Sequence, residues 1–191
     1  MIMCRLPGPY PWRFPLVASI ETGTIQLYTG NGKGKTTAAL GAALRAVGHG
    51  KRVAMIQFMK GRLYGELEAA KRLAGFVIEQ YGRDEFVDPK HPDPVDVELA
   101  EDGWRRAEEL VRDTGLDMLI LDEINVAVSF ELIPLERVIA FMKSKPKHLE
   151  LILTGRFAAP EMIELADTVT EMREVKHHYA RGVKARKGIE F

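Results

Sequence analysis

The part of the sequence best suited to chemistry is a loop rich in glycine and lysine. Residues 28–40 read YTGNGKGKTTAAL. The triplet GKT at 34–36 supplies the second half of the phosphate-loop pattern G-x-x-x-x-G-K-[ST]. The first glycine of that pattern should fall at position 29, but Thr29 stands there and Gly30 follows it. The sequence therefore predicts a phosphate cradle whose first glycine is one place late.

The residue types of this loop suit an anion. Glycines permit positive φ, so successive backbone amides can converge on a phosphate. The helix pattern that follows would add its positive N-terminal end. Lys35 can reach phosphate oxygens, and the hydroxyl of Thr36 can bind Mg²⁺. Lys33 adds a second charge inside the loop. A chance glycine-rich turn is the alternative, which the flanking strand and helix patterns make much less favourable.

An acidic pair follows a buried-strand pattern later in the chain. Residues 116–123 read LDMLILDE and end in Asp122 and Glu123. In phosphate-loop proteins an acidic residue at such a strand end helps to hold Mg²⁺, directly or through water. Taken alone, the pair would be typical of a solvated loop start. The spacing does not decide which carboxylate contacts the metal.

Further cations and histidines follow other strand patterns. Open α/β sheets bind ligands beyond the carboxyl ends of their strands. Lys60, Arg62 and Arg156 are therefore candidates for phosphate contacts, with ordinary surface charge as an equal alternative. The neighbouring His177 and His178 lie in a basic tail, where a solvated pair is the more favoured interpretation.

Strand and helix patterns alternate along the chain, and this alternation must position the candidates. Strand patterns cover residues 24–30, 52–61, 76–82, 116–123, 149–156 and 169–175, and helix patterns cover 35–50, 95–115, 134–146 and 159–168. Such alternation predicts parallel βαβ units. The expected fold class is α/β: a phosphate-loop, RecA-like, mostly parallel sheet flanked by helices on both faces.

Composition limits the partners and the setting. Lys+Arg and Asp+Glu are both 27, which argues against a broad nucleic-acid face. No apolar run reaches the roughly 18 residues of a membrane span. Cys4 is the only cysteine, which favours a reducing, cytoplasmic setting. Prolines concentrate near the start, so we expect a tail over residues 1–22 and a single domain over residues 23–191.

The ordered set of motifs from about Thr24 to Phe191 resembles a known family. The segments are GNGKGKTTAALGAALRAVGHGKRV, QFMKG, LDMLILDE, PLERV, LILTGR, ELADTVTEMREVKHHY and GVKARKGIEF. Together they resemble the bacterial ATP:corrinoid adenosyltransferases, whose pattern includes the late first glycine. The resemblance implies that the 5′-deoxyadenosyl group of ATP moves to the Co(I) of a corrinoid and that triphosphate leaves, in adenosylcobalamin biosynthesis or salvage.

The resemblance also implies roles for individual residues. Lys35 and Lys33 would act catalytically by stabilising the departing triphosphate. The bound nucleotide would lie in the loop in the reverse of its direction in kinases. Thr36 and Glu123 would bind Mg²⁺ or Mn²⁺, with Asp122 as a further metal candidate. The implied nucleotide- and corrinoid-binding residues are Gly30, Asn31, Gly32, Lys33, Gly34, Lys35, Thr36, Thr37, Arg45, Arg156 and Phe86.

Two features depart from the family pattern. The proline-rich tail replaces a helical segment that folds over the active site in relatives. Relatives also carry aromatic residues that displace the lower cobalt ligand, and here only Phe86 lies near that place. Phe86 is therefore either a corrinoid contact or a core or lid residue.

The implied partners are ATP, cobalamin or a corrinoid precursor, a protein that reduces Co(II), and a second copy in a homodimer. By the same resemblance, Arg45 would contact a nucleotide in the neighbouring subunit. Neither nucleic acid nor a membrane is expected as a partner. The alternatives are a kinase or ATPase that produces ADP and a carrier that binds without turnover.

Overall fold

Six parallel strands form one sheet in the computed structural model, which describes residues 20–113 and 115–190. The strands are β1 (Ile25–Thr29), β2 (Val53–Phe58), β3 (Phe76–Tyr81), β4 (Met118–Asp122), β5 (Glu150–Thr154) and β6 (Thr168–Glu171). Their spatial order is β3-β2-β4-β5-β1-β6. Strand β5 therefore separates the strand before the glycine loop from the strand that ends in the acidic pair.

Six helices connect these strands in the described part of the chain. They are α1 (Lys35–Gly48), α2 (Gly65–Ala70), α3 (Pro94–Val111), α4 (Ile124–Ser129), α5 (Leu135–Ser144) and α6 (Pro160–Leu165), and a 3₁₀ turn follows at His178–Arg181. The sequence patterns missed α2 and α4. Each has six residues, which show little of a helical period. The equally short α6 was predicted, but it begins with Pro160, a helix-start signal that α2 and α4 lack.

The helices cover both faces of the sheet, which confirms the predicted fold class. Helices α1 and α2 pack on one face through Ala39, Ala43 and Ala70. Trp104 of α3 and Phe141 of α5 pack on the other face. Their rings meet edge to face with centroids 5.2 Å apart. Every residue of β2, β4 and β5 is buried, as expected of central strands in a parallel sheet.

All carboxyl ends meet at one edge because the strands are parallel. The glycine loop follows β1, the acidic pair ends β4, and the segments with Lys60 and Arg156 follow β2 and β5. The sequence prediction that these groups share one rim is thereby confirmed.

The N-terminal tail prediction concerns residues that mostly lie outside the description, which begins at residue 20. The boundary at residue 22 and the single domain after it stay predictions. Within the described residues, no helix combines the length and the apolar character that crossing a membrane requires.

Candidate active site

The glycine loop owes its late first glycine to backbone geometry. Gly30 has φ +92°, a conformation that favours glycine. A Cβ atom at this position would also lie 2.5 Å from the carbonyl oxygen of Met172. Gly34, the residue before α1, has φ +120°. Both positions therefore exclude larger residues, whereas position 29 belongs to strand β1 and accommodates Thr29.

One amide of the loop is used inside the protein. The Gly32 N–H donates to the carbonyl oxygen of Met172 at 2.6 Å. This bond ties the loop to the segment after β6. The Gly32 N–H therefore already has a partner within the protein.

Lys35 holds the loop in shape from within. Its ammonium donates to the carbonyl oxygens of Gly30 at 2.8 Å and Gly32 at 2.7 Å. The residue is only 7% exposed. Burial lowers the pKa of Lys35, and nearby Arg156 lowers it further, while Glu123 and Asp122 oppose the shift. A charged lysine that is costly to bury alone would gain a counter-ion from a bound polyphosphate.

Asp122 lies beneath the loop and is fully buried. One carboxylate oxygen accepts hydrogen bonds from the hydroxyls of Thr36 at 2.9 Å and Thr154 at 2.7 Å. The other accepts from the ammonium of Lys60 at 2.7 Å and the amide of Gln57 at 3.2 Å. We call the polar residues at this level the floor: Lys35, Thr36, Gln57, Lys60, Asp122 and Thr154.

Glu123 is turned into the cavity by its backbone. It adopts the left-handed conformation, φ 62°, immediately before α4. Its N–H donates to the hydroxyl of Thr154 at 3.1 Å, and that hydroxyl donates to Asp122. Burial and the neighbouring Asp122 raise the pKa of Glu123. A cation at this carboxylate would offset both effects.

A cavity of about 500 Å³ opens between the loop and the neighbouring strand ends. Four cations line it: Lys33, Lys35, Lys60 and Arg156. Four carboxylates line it as well: Glu66, Glu123, Glu174 and Glu190. The volume lies within the usual range for small-molecule sites. Its mixed charge suits a ligand that carries both phosphates and hydroxyl groups.

The C-terminal segment closes one side of the cavity. We call residues 174–190 the C-terminal wall. Glu190 reaches Lys33 of the loop at 3.0 Å, Arg186 at 3.1 Å and His178 at 3.7 Å. Hydrogen bonds from Arg186 first, and from Lys33 next, hold the pKa of Glu190 below its usual range.

The two histidines of this wall are less exposed than expected. His177 lines the cavity, and its ring stacks on that of His178 with centroids 4.5 Å apart. Both residues are half-buried. The predicted solvated pair is therefore only partly exposed to solvent.

The structure gathers most predicted site residues. Residues 31–37, Glu123 and Arg156 line the cavity, and the carbonyl of Gly30 anchors Lys35. Asp122 lies behind the cavity wall. Arg62, Arg45 and Phe86 are not among the described residues that line it.

Arg45 and Phe86 both lie outside the cavity. Arg45 follows Lys35 by ten residues on α1, which is about 15 Å along the helix axis. Phe86 is 95% exposed, so the interpretation of Phe86 as a core residue is wrong.

Several lining residues escaped the sequence analysis. Tyr64, Gly65 and Glu66 come from the start of α2, and Gly188, Ile189 and Glu190 come from the C-terminal wall. The first stretch carries no motif of its own. The second belongs to the segment GVKARKGIEF, which served only for the family resemblance. Thr154 was noted only as part of a strand end, and its role as a bridge between Asp122 and Glu123 depends on the β4–β5 pairing.

The side chains that line the cavity can hold a divalent ion only if a bound ligand supplies further oxygen atoms. The hydroxyl of Thr36 and the carboxylate of Glu123 both face it. Among the described residues, no group of three or more His, Cys, Asp or Glu side chains is arranged to hold a metal. Mg²⁺ commonly takes one or two carboxylates together with substrate phosphates. The donor set fits an ion that arrives with a nucleotide.

Fold and site together define a class: an α/β protein in which a glycine-rich loop, a helix N-terminus and an acidic strand end meet at one polar cavity. The comparisons with known proteins are more specific. The family model for ATP:corrinoid adenosyltransferase BtuR/CobO/CobP matches residues 21–191. The chain belongs to this ATP:corrinoid adenosyltransferase family.

Individual relatives agree with the family match. A corrinoid adenosyltransferase of Escherichia coli strain K12 is 39% identical over 183 residues, covering 91% of this chain and 88% of the relative. The corrinoid adenosyltransferase CobA of Salmonella typhimurium strain LT2 is 40% identical over 183 residues, with the same two shares of 91% and 88%. One from Pseudomonas aeruginosa is 39% identical over 172 residues, covering 90% and 85%.

Proposed function

We propose that this protein transfers the 5′-deoxyadenosyl group of ATP to the Co(I) of a corrinoid and releases triphosphate, in adenosylcobalamin biosynthesis or salvage. The family membership supports this activity over nearly the whole chain. The observation that carries it to particular residues is the cavity between the glycine loop and Glu123, where four cations face one space.

The reaction is a displacement at carbon. The electron pair of Co(I) forms the bond to C5′, and the bond from C5′ to the triphosphate oxygen breaks with its pair on oxygen. The leaving group therefore gains negative charge. Lys35 and Lys33 line the cavity and would stabilise this charge, since preorganised cations are effective where negative charge develops. Arg156 would add a third cation.

Magnesium or manganese is the divalent ion we propose for the site. Thr36 and Glu123 would hold it together with the phosphates of ATP. When bound, the ion would neutralise phosphate charge during departure of the triphosphate. Asp122 would contribute from behind, by accepting a hydrogen bond from the Thr36 hydroxyl, which leaves a lone pair of that oxygen for a cation.

The remaining parts of the proposal concern partners. Arg45, outside the cavity of its own chain, would contact a nucleotide across a homodimer interface. Phe86, with its exposed ring, would contact the corrinoid. A separate protein would reduce Co(II), and the lone Cys4 favours a reducing cytoplasm as the setting. The domain of residues 23–191 would carry the whole activity.

One assay tests the proposed function. The protein is incubated without oxygen with MgATP and a chemically reduced corrinoid, and both products are analysed. We expect a light-sensitive adenosylcorrinoid and triphosphate in equal amounts. ADP and phosphate without a cobalt–carbon product would reject the proposal in favour of a kinase or ATPase.

The controls come from two lysines of this chain. Lys35→Ala should remove the product because the leaving charge loses a cation. Lys71→Met serves as the matched surface control, because Lys71 pairs with Glu68 on the exposed side of α2 and lies outside the cavity. It should keep the wild-type rate.

A further inference from the structure

Lys60 has a place in the floor that the reaction as described does not use. Its ammonium lies 2.7 Å from a carboxylate oxygen of Asp122 and 3.4 Å from the hydroxyl oxygen of Thr36. The side chain is 15% exposed and lines the cavity. The singly charged ammonium of Lys60 thus lies between Asp122 and Thr36, two of the residues predicted to bind the metal.

Asp122 has no capacity left for a second cation. A carboxylate offers about four acceptor sites. In Asp122 these receive the hydroxyls of Thr36 and Thr154, the amide of Gln57 and the ammonium of Lys60. The carboxylate is fully buried. A divalent ion could reach Asp122 only after Lys60 had been displaced.

We propose that Lys60 is a positioning residue: a built-in cation that neutralises Asp122 and closes it to the divalent ion. The site then offers the ion only Glu123 and the lone pairs of Thr36, so the ion binds firmly only when a nucleotide supplies phosphate oxygens. The inference deepens the metal part of the proposed function and rests on it.

The charges at the site explain why the Lys60–Asp122 pair would weaken the binding of a divalent ion. With Lys60 in place, the Lys60–Asp122 pair is neutral. Glu123 makes no direct ion pair with any described residue, and the charges of Lys60, Lys35 and Arg156 act on it from a longer distance. Without the ammonium, Asp122 would lose its ion-pair partner beside Glu123, and only the more distant charges of Lys35 and Arg156 would offset the two carboxylates. That arrangement attracts a divalent ion strongly.

The experiment measures Mn²⁺ binding to the full chain without nucleotide, from the electron paramagnetic resonance signal of the free ion. Wild-type protein should bind Mn²⁺ weakly. Lys60→Met should bind Mn²⁺ at least about tenfold more tightly, because the buried carboxylate of Asp122 would have lost its counter-ion and would attract another cation. Lys60→Met combined with Asp122→Asn should return to weak binding, since the anion is then gone. Equal affinity in wild type and Lys60→Met would overturn the inference.

A matched variant controls for the loss of any paired lysine. Lys71 and Glu68 are 2.6 Å apart, nearly the spacing of the Lys60 pair, but both are exposed. Lys71→Met should leave Mn²⁺ binding unchanged. Tightening in that variant too would mean that net charge alone, and not the position of Lys60, governs the ion.

A second measurement keeps the inference testable if Lys60→Met fails to fold. Asp122→Asn leaves Lys60 in place with its charge no longer neutralised. ATP binding in EDTA, measured by calorimetry, should then become several-fold tighter. Unchanged or weaker binding would contradict the inference. Lys60→Arg should keep both wild-type behaviours, because it preserves the charge.

The metal dependence of turnover separates positioning from a purely structural role. Lys60→Met should change the Mg²⁺ concentration needed for half-maximal activity more than it changes kcat. An equal loss at all Mg²⁺ concentrations would point to structural damage. The Mn²⁺ titration uses no corrinoid, so failure of adenosyl transfer and failure of this inference give different results.

Discussion

Two carboxylates beside the glycine loop make similar contacts in different surroundings. Asp122 of the floor and Glu190 of the C-terminal wall each gather several donors, and each binds a lysine of the cavity. Asp122 is fully buried, whereas the Glu190 side chain is 12% exposed and its partner Lys33 is 46% exposed.

The difference teaches where each contact should matter. A buried ion pair that loses one partner leaves a desolvated charge behind, which is strongly destabilising. A pair near the surface is screened, and water can replace the lost partner. We therefore expect the floor to determine the fold and the metal site, and the wall to determine access to the cavity.

The largest expected effect is that of Asp122→Ala. The change removes the common acceptor of four donors and leaves Lys60 without a counter-ion. We expect the free energy of unfolding to fall by about 3–5 kcal/mol. Urea denaturation followed by circular dichroism measures this. A loss no greater than that of Glu190→Ala would break the comparison between floor and wall.

Lys35→Ala should act on turnover more than on folding. The ammonium supports the loop through two carbonyls and faces the cavity. Without it, adenosyl transfer should fall by at least about 100-fold, the size of effect seen when one charge-stabilising group is removed. Product analysis at saturating MgATP checks this. Near-normal turnover would overturn the assignment of the loop to the phosphates.

Glu190→Gln should loosen the C-terminal wall without unfolding the protein. Hydrogen–deuterium exchange of residues 182–190 should quicken, while exchange in the central strands should not change. The low pKa of Glu190 gives the pH dependence. For a carboxyl group with a lowered pKa in the folded state, the stabilisation is present above the ordinary value and is lost only as pH falls through the lowered one.

The wild-type wall should therefore keep its exchange protection between pH 7 and pH 5, a range that lies above the ordinary pKa of glutamate of about 4.3. Loss of protection over that range would show that Glu190 does not hold the segment.

Phe86→Ala should have the smallest effect on stability, within about 0.5 kcal/mol, because the ring is exposed and its removal leaves no cavity. The variant serves mainly to test the hypothesis that Phe86 contacts the corrinoid. Slower adenosylation at an unchanged affinity for ATP would support a corrinoid contact. An unchanged rate with the corrinoid would remove Phe86 from the site.

The repeating parts of the fold could be predicted because they depend on local patterns. The buried strands of β2 and β4 appear as continuous apolar runs, and their existence needs no information from distant residues. The short α2 and α4 could not be predicted, because six residues show too little of a helical period and neither helix begins with a proline, as the equally short α6 does. The glycine loop and the acidic pair could be predicted because their residue types and spacing are typical of phosphate and Mg²⁺ binding.

The sequence alone determined the alternating α/β order, the loop with its Lys35 and Thr36, and the resemblance to the adenosyltransferase family, because these reside in residue types and local spacing. Only the tertiary structure decided that Lys60 pairs with Asp122, that Thr154 bridges Asp122 and Glu123, and that Glu190 meets Lys33. Each of these contacts joins segments distant in the chain. The Lys60 and Thr154 contacts form because parallel strands bring their carboxyl ends to one edge, and the Glu190 contact forms because the C-terminal wall folds back onto the glycine loop.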